Sequence, residues 1–128
     1  MAQPRSHLTE LQLEILRVLW SAGESSVAAV HAALAPRELA PTTVATLLKR
    51  LAKRGVVAHR TEGRQYLYRP LISEQEATRS MLDEALETLF AGDVPAMMAQ
   101  LLQRRDVAPG DLDRIRVLLE ERARELES

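Results

Sequence analysis

Apolar positions recur at intervals of three and four through three successive stretches before residue 55, and this period predicts three helices. In "LTELQLEILRVLW" the stripe is Leu11, Ile15, Val18 and Leu19. Thr9 with Gln12 three residues on makes a capping box, and Gly23 supplies the stop. Trp20 closes this helix as a core anchor. "SSVAAVHAAL" reads as a shorter helix capped by Ser25 or Ser26, with Val27, Val30 and Leu34 on one side and Pro36 ending it. In "PTTVATLLKRLAKRG", Pro41 suits a first turn and Gly55 a helix end. Val44, Leu47, Leu48 and Leu51 share the apolar face of this third helix. Thr42, Thr43, Thr46, Lys49, Arg50 and Lys53 lie opposite.

After Gly55 the period drops to two. "VVAHR" and "QYLYR" flank "TEGR", in which Gly63 supplies turn freedom, so a β-hairpin follows and Pro70 closes it. The helical period then returns. Ser73 with Glu76 opens "EQEATRSMLDEALETLF", whose stripe is Met81, Leu82, Ala85, Leu86 and Leu89. Asp93 caps a short helix, "VPAMMAQLLQRR"; "DVAPGD" breaks the chain again. "LDRIRVLLEERARELE" is the last helix, with Leu112, Ile115, Leu119 and Leu126 along one face.

Three helices followed by a hairpin is the order of a winged helix-turn-helix. The expected fold is mainly α with a small β-hairpin: a winged helix-turn-helix domain over residues 1–71, then an α-helical dimerisation region over residues 72–128. In such folds the N-terminal residues of the recognition helix meet base edges in the major groove. Threonine hydroxyls can donate or accept there, and a threonine methyl can touch a thymine methyl. This gives Thr42, Thr43 and Thr46 as base-reading candidates. Lys49, Arg50 and Lys53, with Arg60 and Arg64 on the hairpin, are the candidates for the DNA backbone, where contacts set register. The plainer reading is that Thr42 and Thr43 cap the helix and the charges are solvated surface.

Charge distribution favours the DNA reading. The chain of 128 residues has a net charge of −1, yet residues 1–70 carry +5 and residues 71–128 carry −6. Residues 49–69 alone hold seven cations against the single acid Glu62, denser than solvation needs. A winged-helix module docking a protein would expose a large apolar residue on this face, and none is there.

Other classes recede. With no cysteine there is no disulfide or thiolate metal site, and His7, His31 and His59 share no metal-ligand spacing. No phosphate loop, nucleophile elbow or carboxylate pair stands out, so neither catalysis nor a cofactor is expected. No apolar leader or membrane span is present, which points to the cytoplasm. The three C-terminal helices carry too few apolar residues for a monomeric core of their own, and pairing with a second copy would cover them. The residues expected in that interface are Met81, Leu82, Leu86, Leu89, Leu112, Ile115 and Leu119.

The stretches "LTELQLEILRVLW", "SVAAVHAAL" and "PTTVATLLKRLAKRGVVAHRTEGRQYLYRPLIS" resemble the penicillinase-repressor family, the repressors of β-lactamase and methicillin-resistance genes and their copper-export relatives. The likeness continues more weakly through "LETLFAGDVPAMMAQLL". It implies a homodimeric repressor on a palindromic operator, with the dimer made by the C-terminal helices. It also implies relief of repression through a membrane sensor protease pathway that cuts the C-terminal part. The corresponding bond here is Gln100–Leu101, where the drug-resistance members have Asn and Phe. Copper-responsive members carry a C-terminal cysteine motif that this chain lacks. An alternative is a ligand-responsive winged-helix regulator of the multiple-antibiotic-resistance type, with a pocket lined by Met81, Met97 and Met98.

Overall fold

The capping box at Thr9 forms as its spacing requires. In the computed structural model, which describes residues 7–128, Thr9 Oγ1 accepts from the Gln12 N–H at 3.1 Å, and Gln12 Oε1 accepts from the Thr9 N–H at 3.1 Å. Helix α1 runs Glu10–Ala22. Strand β1 is Ser25–Ser26, and helix α2 is Val27–Ala33, capped by Ser26 Oγ accepting from the Ala29 N–H. A single 3-10 turn, Ala35–Arg37, leads to helix α3, Pro41–Lys53.

Helix α3 ends in a Schellman closure: the Val56 N–H reaches the Leu51 carbonyl and the Gly55 N–H the Ala52 carbonyl. Gly55 holds φ +76°, and a Cβ there would meet no atom within 4 Å. Gly55→Ala therefore carries only the left-handed backbone cost, about 1–2 kcal/mol. A lower urea midpoint at unchanged slope is the expected result. An unshifted midpoint would mean that the helix ends differently.

The hairpin is strand β2, Val57–Glu62, and strand β3, Gln65–Pro70. Gly63, at φ +63°, is the first of two turn residues and sets the register from Glu62↔Gln65 to Val57↔Pro70. The sheet has a third strand that the period-two reading does not contain. Strand β1 pairs with the free edge of β3, Ser25↔Tyr68 and Ser26↔Leu67, giving the order β1-β3-β2. Two residues are too few to show an alternation, and Ser26 already reads as a cap.

Helices and sheet close on a core that includes Ile15, Leu19, Val30, Leu48, Leu51 and Tyr68. Trp20 packs at its margin and donates its indole N–H to the Ile72 carbonyl at 2.9 Å, tying α1 to the segment that leaves the wing.

Helix α4 is Glu74–Phe90. The Ser73–Glu76 capping box is made at both ends. The chain divides into two compact units, Met1–Ala85 and Leu86–Ser128, so the division falls inside α4. Ala77 is buried in the winged core and Met81 packs against it, so the first turns of α4 belong to that core. The second unit holds the end of α4, helix α5 (Val94–Leu102) and helix α6 (Pro109–Glu127). Asp93 caps α5 as expected, accepting from the Ala96 N–H at 3.0 Å. Helix α6 starts within the expected break, with Pro109 at its first position, where proline is favoured. Asp111 Oδ2 accepts from the Ala108 N–H at 3.0 Å and secures that start. No residue from 86 to 128 is buried within the single chain. Among the described residues no helix is long and apolar enough to cross a membrane.

Candidate nucleic-acid interface

Helix α3 has two chemically distinct sides. Val44, Leu48 and Leu51 have no exposed surface. Thr42, Thr43, Thr46, Lys49, Arg50 and Lys53 are all exposed. The two leading threonines are not caps: the N-cap is Ala40, Pro41 is the first helical residue, and Thr42 and Thr43 follow within the first turn. Their hydroxyls have no partner among the described residues. Thr46 differs, since its hydroxyl donates to the Thr42 carbonyl at 2.9 Å. It therefore presents a methyl and acceptor lone pairs outward rather than a free donor.

The turn before α3 is pinned from behind. Arg37 pairs with Glu14 on α1, and the His31 Nε2 nitrogen meets the Leu39 carbonyl at 2.7 Å. The carbonyl can only accept, so Nε2 carries the proton. These contacts fix where the first turn of α3 projects.

The basic run is not uniformly available. Arg64 stands exposed in the hairpin turn. Arg54 donates to Gln12 Oε1 at 3.2 Å. Arg60 is engaged twice. Its Nε and Nη2 donate to the Glu24 carboxylate at 2.7–3.0 Å, and Nη2 also reaches Glu62 Oε2 at 3.0 Å. The guanidinium holds the Glu24 carboxyl below the usual carboxylate range, with Arg69 adding a weaker attraction. Of the five cations expected on the DNA backbone, Lys49, Arg50, Lys53 and Arg64 have no carboxylate partner among the described residues, and Arg60 has two.

The wing also brings together an aromatic group that the sequence reading passed over. The register sets His59 opposite Tyr68. Ring centroids lie 4.5 Å apart for His59–Tyr66 and 5.6 Å for His59–Tyr68. An open groove between this group and α3 is lined by Lys49 and Lys53. A second groove, lined by Ser26, Thr42, Lys49, Arg64 and Tyr66, joins the start of α3 to the wing tip. The alternation of residues 57–61 and 66–70 about a two-residue turn is the signal that would have found the group, since it sets these rings on one sheet face.

The C-terminal candidates divide by exposure. Met81 is half-buried against the winged core, and Leu86 and Ile115 are half-buried. Leu82, Leu89, Leu112 and Leu119 are exposed, Leu89 at 70% and Leu119 at 61%. Gln100 and Leu101 are exposed in the last turn of α5. No group of three or more metal-ligating side chains occurs among the described residues.

Comparison with known proteins bears directly on this geometry. The family model described as penicillinase repressor matches residues 8–121. The penicillinase repressor of Bacillus licheniformis is 25% identical over 115 residues, covering 89% of this chain and 90% of that protein. The transcriptional regulator BlaI of Mycobacterium tuberculosis is 33% identical over 119 residues, covering 91% of this chain and 85% of that protein. The solution structure of the DNA-binding domain of the repressor BlaI is 31% identical with a TM-score of 0.50, covering 55% of this chain and 87% of that one. With its winged helix and its exposed threonine-and-lysine face, this chain belongs to the penicillinase repressor family, a family of DNA-binding transcriptional repressors and not of enzymes.

Proposed function

We propose that the protein binds a palindromic operator as a homodimer and represses by occupancy, α3 of each subunit lying in the major groove. Thr42, Thr43 and Thr46 meet base edges, while Lys49, Arg50, Lys53 and Arg64 meet phosphates. The observation that carries this reading is the division of α3 into an apolar side packed on the core and an exposed side of small hydroxyls and cations. Such a surface suits hydrogen bonding to bases followed by charge pairing with the backbone.

The dimer is made by the helical region after the wing. In support, Leu89, Leu118, Leu119 and Leu126 are each more than 60% exposed in the single chain, and a second copy would cover them. Repression is relieved when the dimer is lost. Cleavage at Gln100–Leu101, in a membrane sensor protease pathway acting in the cytoplasm, is one route. It would require the last turn of α5 to open, because a protease needs extended backbone.

Fluorescence anisotropy on the DNA upstream of the protein's own gene and on a shuffled duplex, across a salt series, tests the reading. A steep salt dependence and binding at least roughly a thousandfold tighter to the upstream DNA are expected. Equal, weak binding to both would overturn specific repression there. Thr46→Ala should change the order of preference among operator variants, by about 1–3 kcal/mol at the base it touches. Arg64→Ala should weaken all sequences alike and flatten the salt slope by about one unit. Uniform loss for Thr46→Ala would remove Thr46 from the base-reading set.

A further inference from the structure

We propose that Glu24, with Glu62, withdraws Arg60 from the DNA-contacting set, and that Glu24 thereby sets how strongly the wing binds DNA of any sequence. The inference rests on the operator-binding reading above. The geometry is specific. Glu24 immediately precedes β1, and Arg60 lies on β2, two strands away across β3. Residues 24, 60, 62, 67 and 69 share one face of the sheet by alternation, and the bidentate Glu24–Arg60 pair spans that face. The face carries Glu24, Arg60, Glu62 and Arg69, two charges of each sign, and is electrically neutral. The opposite face, with His59 and Tyr66, borders the unpaired lysines of α3. The wing is therefore attractive to a polyanion at its tip and on its α3 side, and neutral on its outer side.

A cation that touches phosphate without reading a base raises binding to every sequence alike and steepens its salt dependence. An arginine already forked onto a carboxylate gives up charge-assisted hydrogen bonds to reach a phosphate. Glu24 thus sets the sequence-independent affinity of the wing without touching DNA.

Three variants, Glu24→Gln, Arg60→Gln and the double variant, test this on the shuffled duplex and the upstream duplex across the same salt series. Both positions are exposed, and circular dichroism checks that each variant is folded. Arg60→Gln should leave the affinity and salt slope of the wild type in place. Glu24→Gln should tighten binding to the shuffled and the upstream duplex alike and steepen the slope by about 0.9 for each subunit bound. The double variant should lose that gain although Arg60→Gln alone changes nothing, and this non-additivity separates a released Arg60 from the mere removal of a negative charge, which would give additive effects. A flatter slope for Arg60→Gln, by the same amount, would make Arg60 a phosphate contact and overturn the inference alone. A gain that persists in the double variant would overturn it as well. No binding of either duplex by the wild type would bring down the operator reading and this inference together.

Discussion

Leu119→Asp is expected to leave the protein monomeric at micromolar concentration and to lower its affinity for operator DNA by about 10²–10⁴-fold, while the winged unit stays folded. The argument turns on exposure. Leu119 is 61% exposed in the single chain, and a polar substitution at so open a site changes monomer stability by about 0.5 kcal/mol or less. A large effect can therefore come only from something that covers Leu119. In a dimer, the substitution would place a carboxylate against apolar surface, where an uncompensated charge is strongly disfavoured. With the dimer lost, the second half-site no longer binds as an intramolecular event, and the stated fold-loss is the avidity that disappears. Light scattering after size exclusion reads the mass, anisotropy reads the affinity, and Trp20 fluorescence reports the winged core against which that side chain packs. A dimer mass and unaltered affinity would place the interface elsewhere on the chain. A monomer that still binds operator at full strength would show that a single winged unit suffices.

The parts of this fold that sequence pattern exposes are those determined within a few residues. Both Ser/Thr capping boxes, the glycine that ends α3 and the hairpin turn at Gly63 are short-range chemistry, and each forms where the spacing places it. What was hidden depends on distant partners or on very short segments. Strand β1 has two residues, so no period exists to detect. Arg60 looks like any other cation of the basic run, because its partner Glu24 lies 36 residues away. Counting charge along the chain overstates the basic surface for that reason. The buried Ala77 and half-buried Met81 belong to the same helical stripe as Leu82 and Leu89, and sequence cannot say which members face the winged core. At α3 the difficulty ran the other way. Thr42 and Thr43 could have been caps by residue type, and only the backbone shows that Ala40 holds that position.

Leu48→Ala is expected to lower the stability of the winged unit by about 2–5 kcal/mol, the range for truncating a fully buried leucine and leaving a cavity behind. Leu48 has no exposed surface and joins α3 to the core. That cost is a large share of the roughly 5–15 kcal/mol typical of a folded domain. The same substitution should hardly alter recognition, because Lys49 is its neighbour in sequence but projects from the other side of α3. Urea unfolding at fixed protein concentration measures the first effect, since the stability of a dimer varies with concentration. The midpoint should fall with the slope unchanged. Operator affinity, measured well below the new midpoint, should then stay within a few-fold of the wild type once the unfolded fraction is taken into account. A midpoint that hardly moves would place Leu48 outside the core. If affinity instead collapsed while the protein remained folded, the buried side of α3 would be setting the pose of its exposed side, and core packing at Leu48 would be part of the recognition geometry itself.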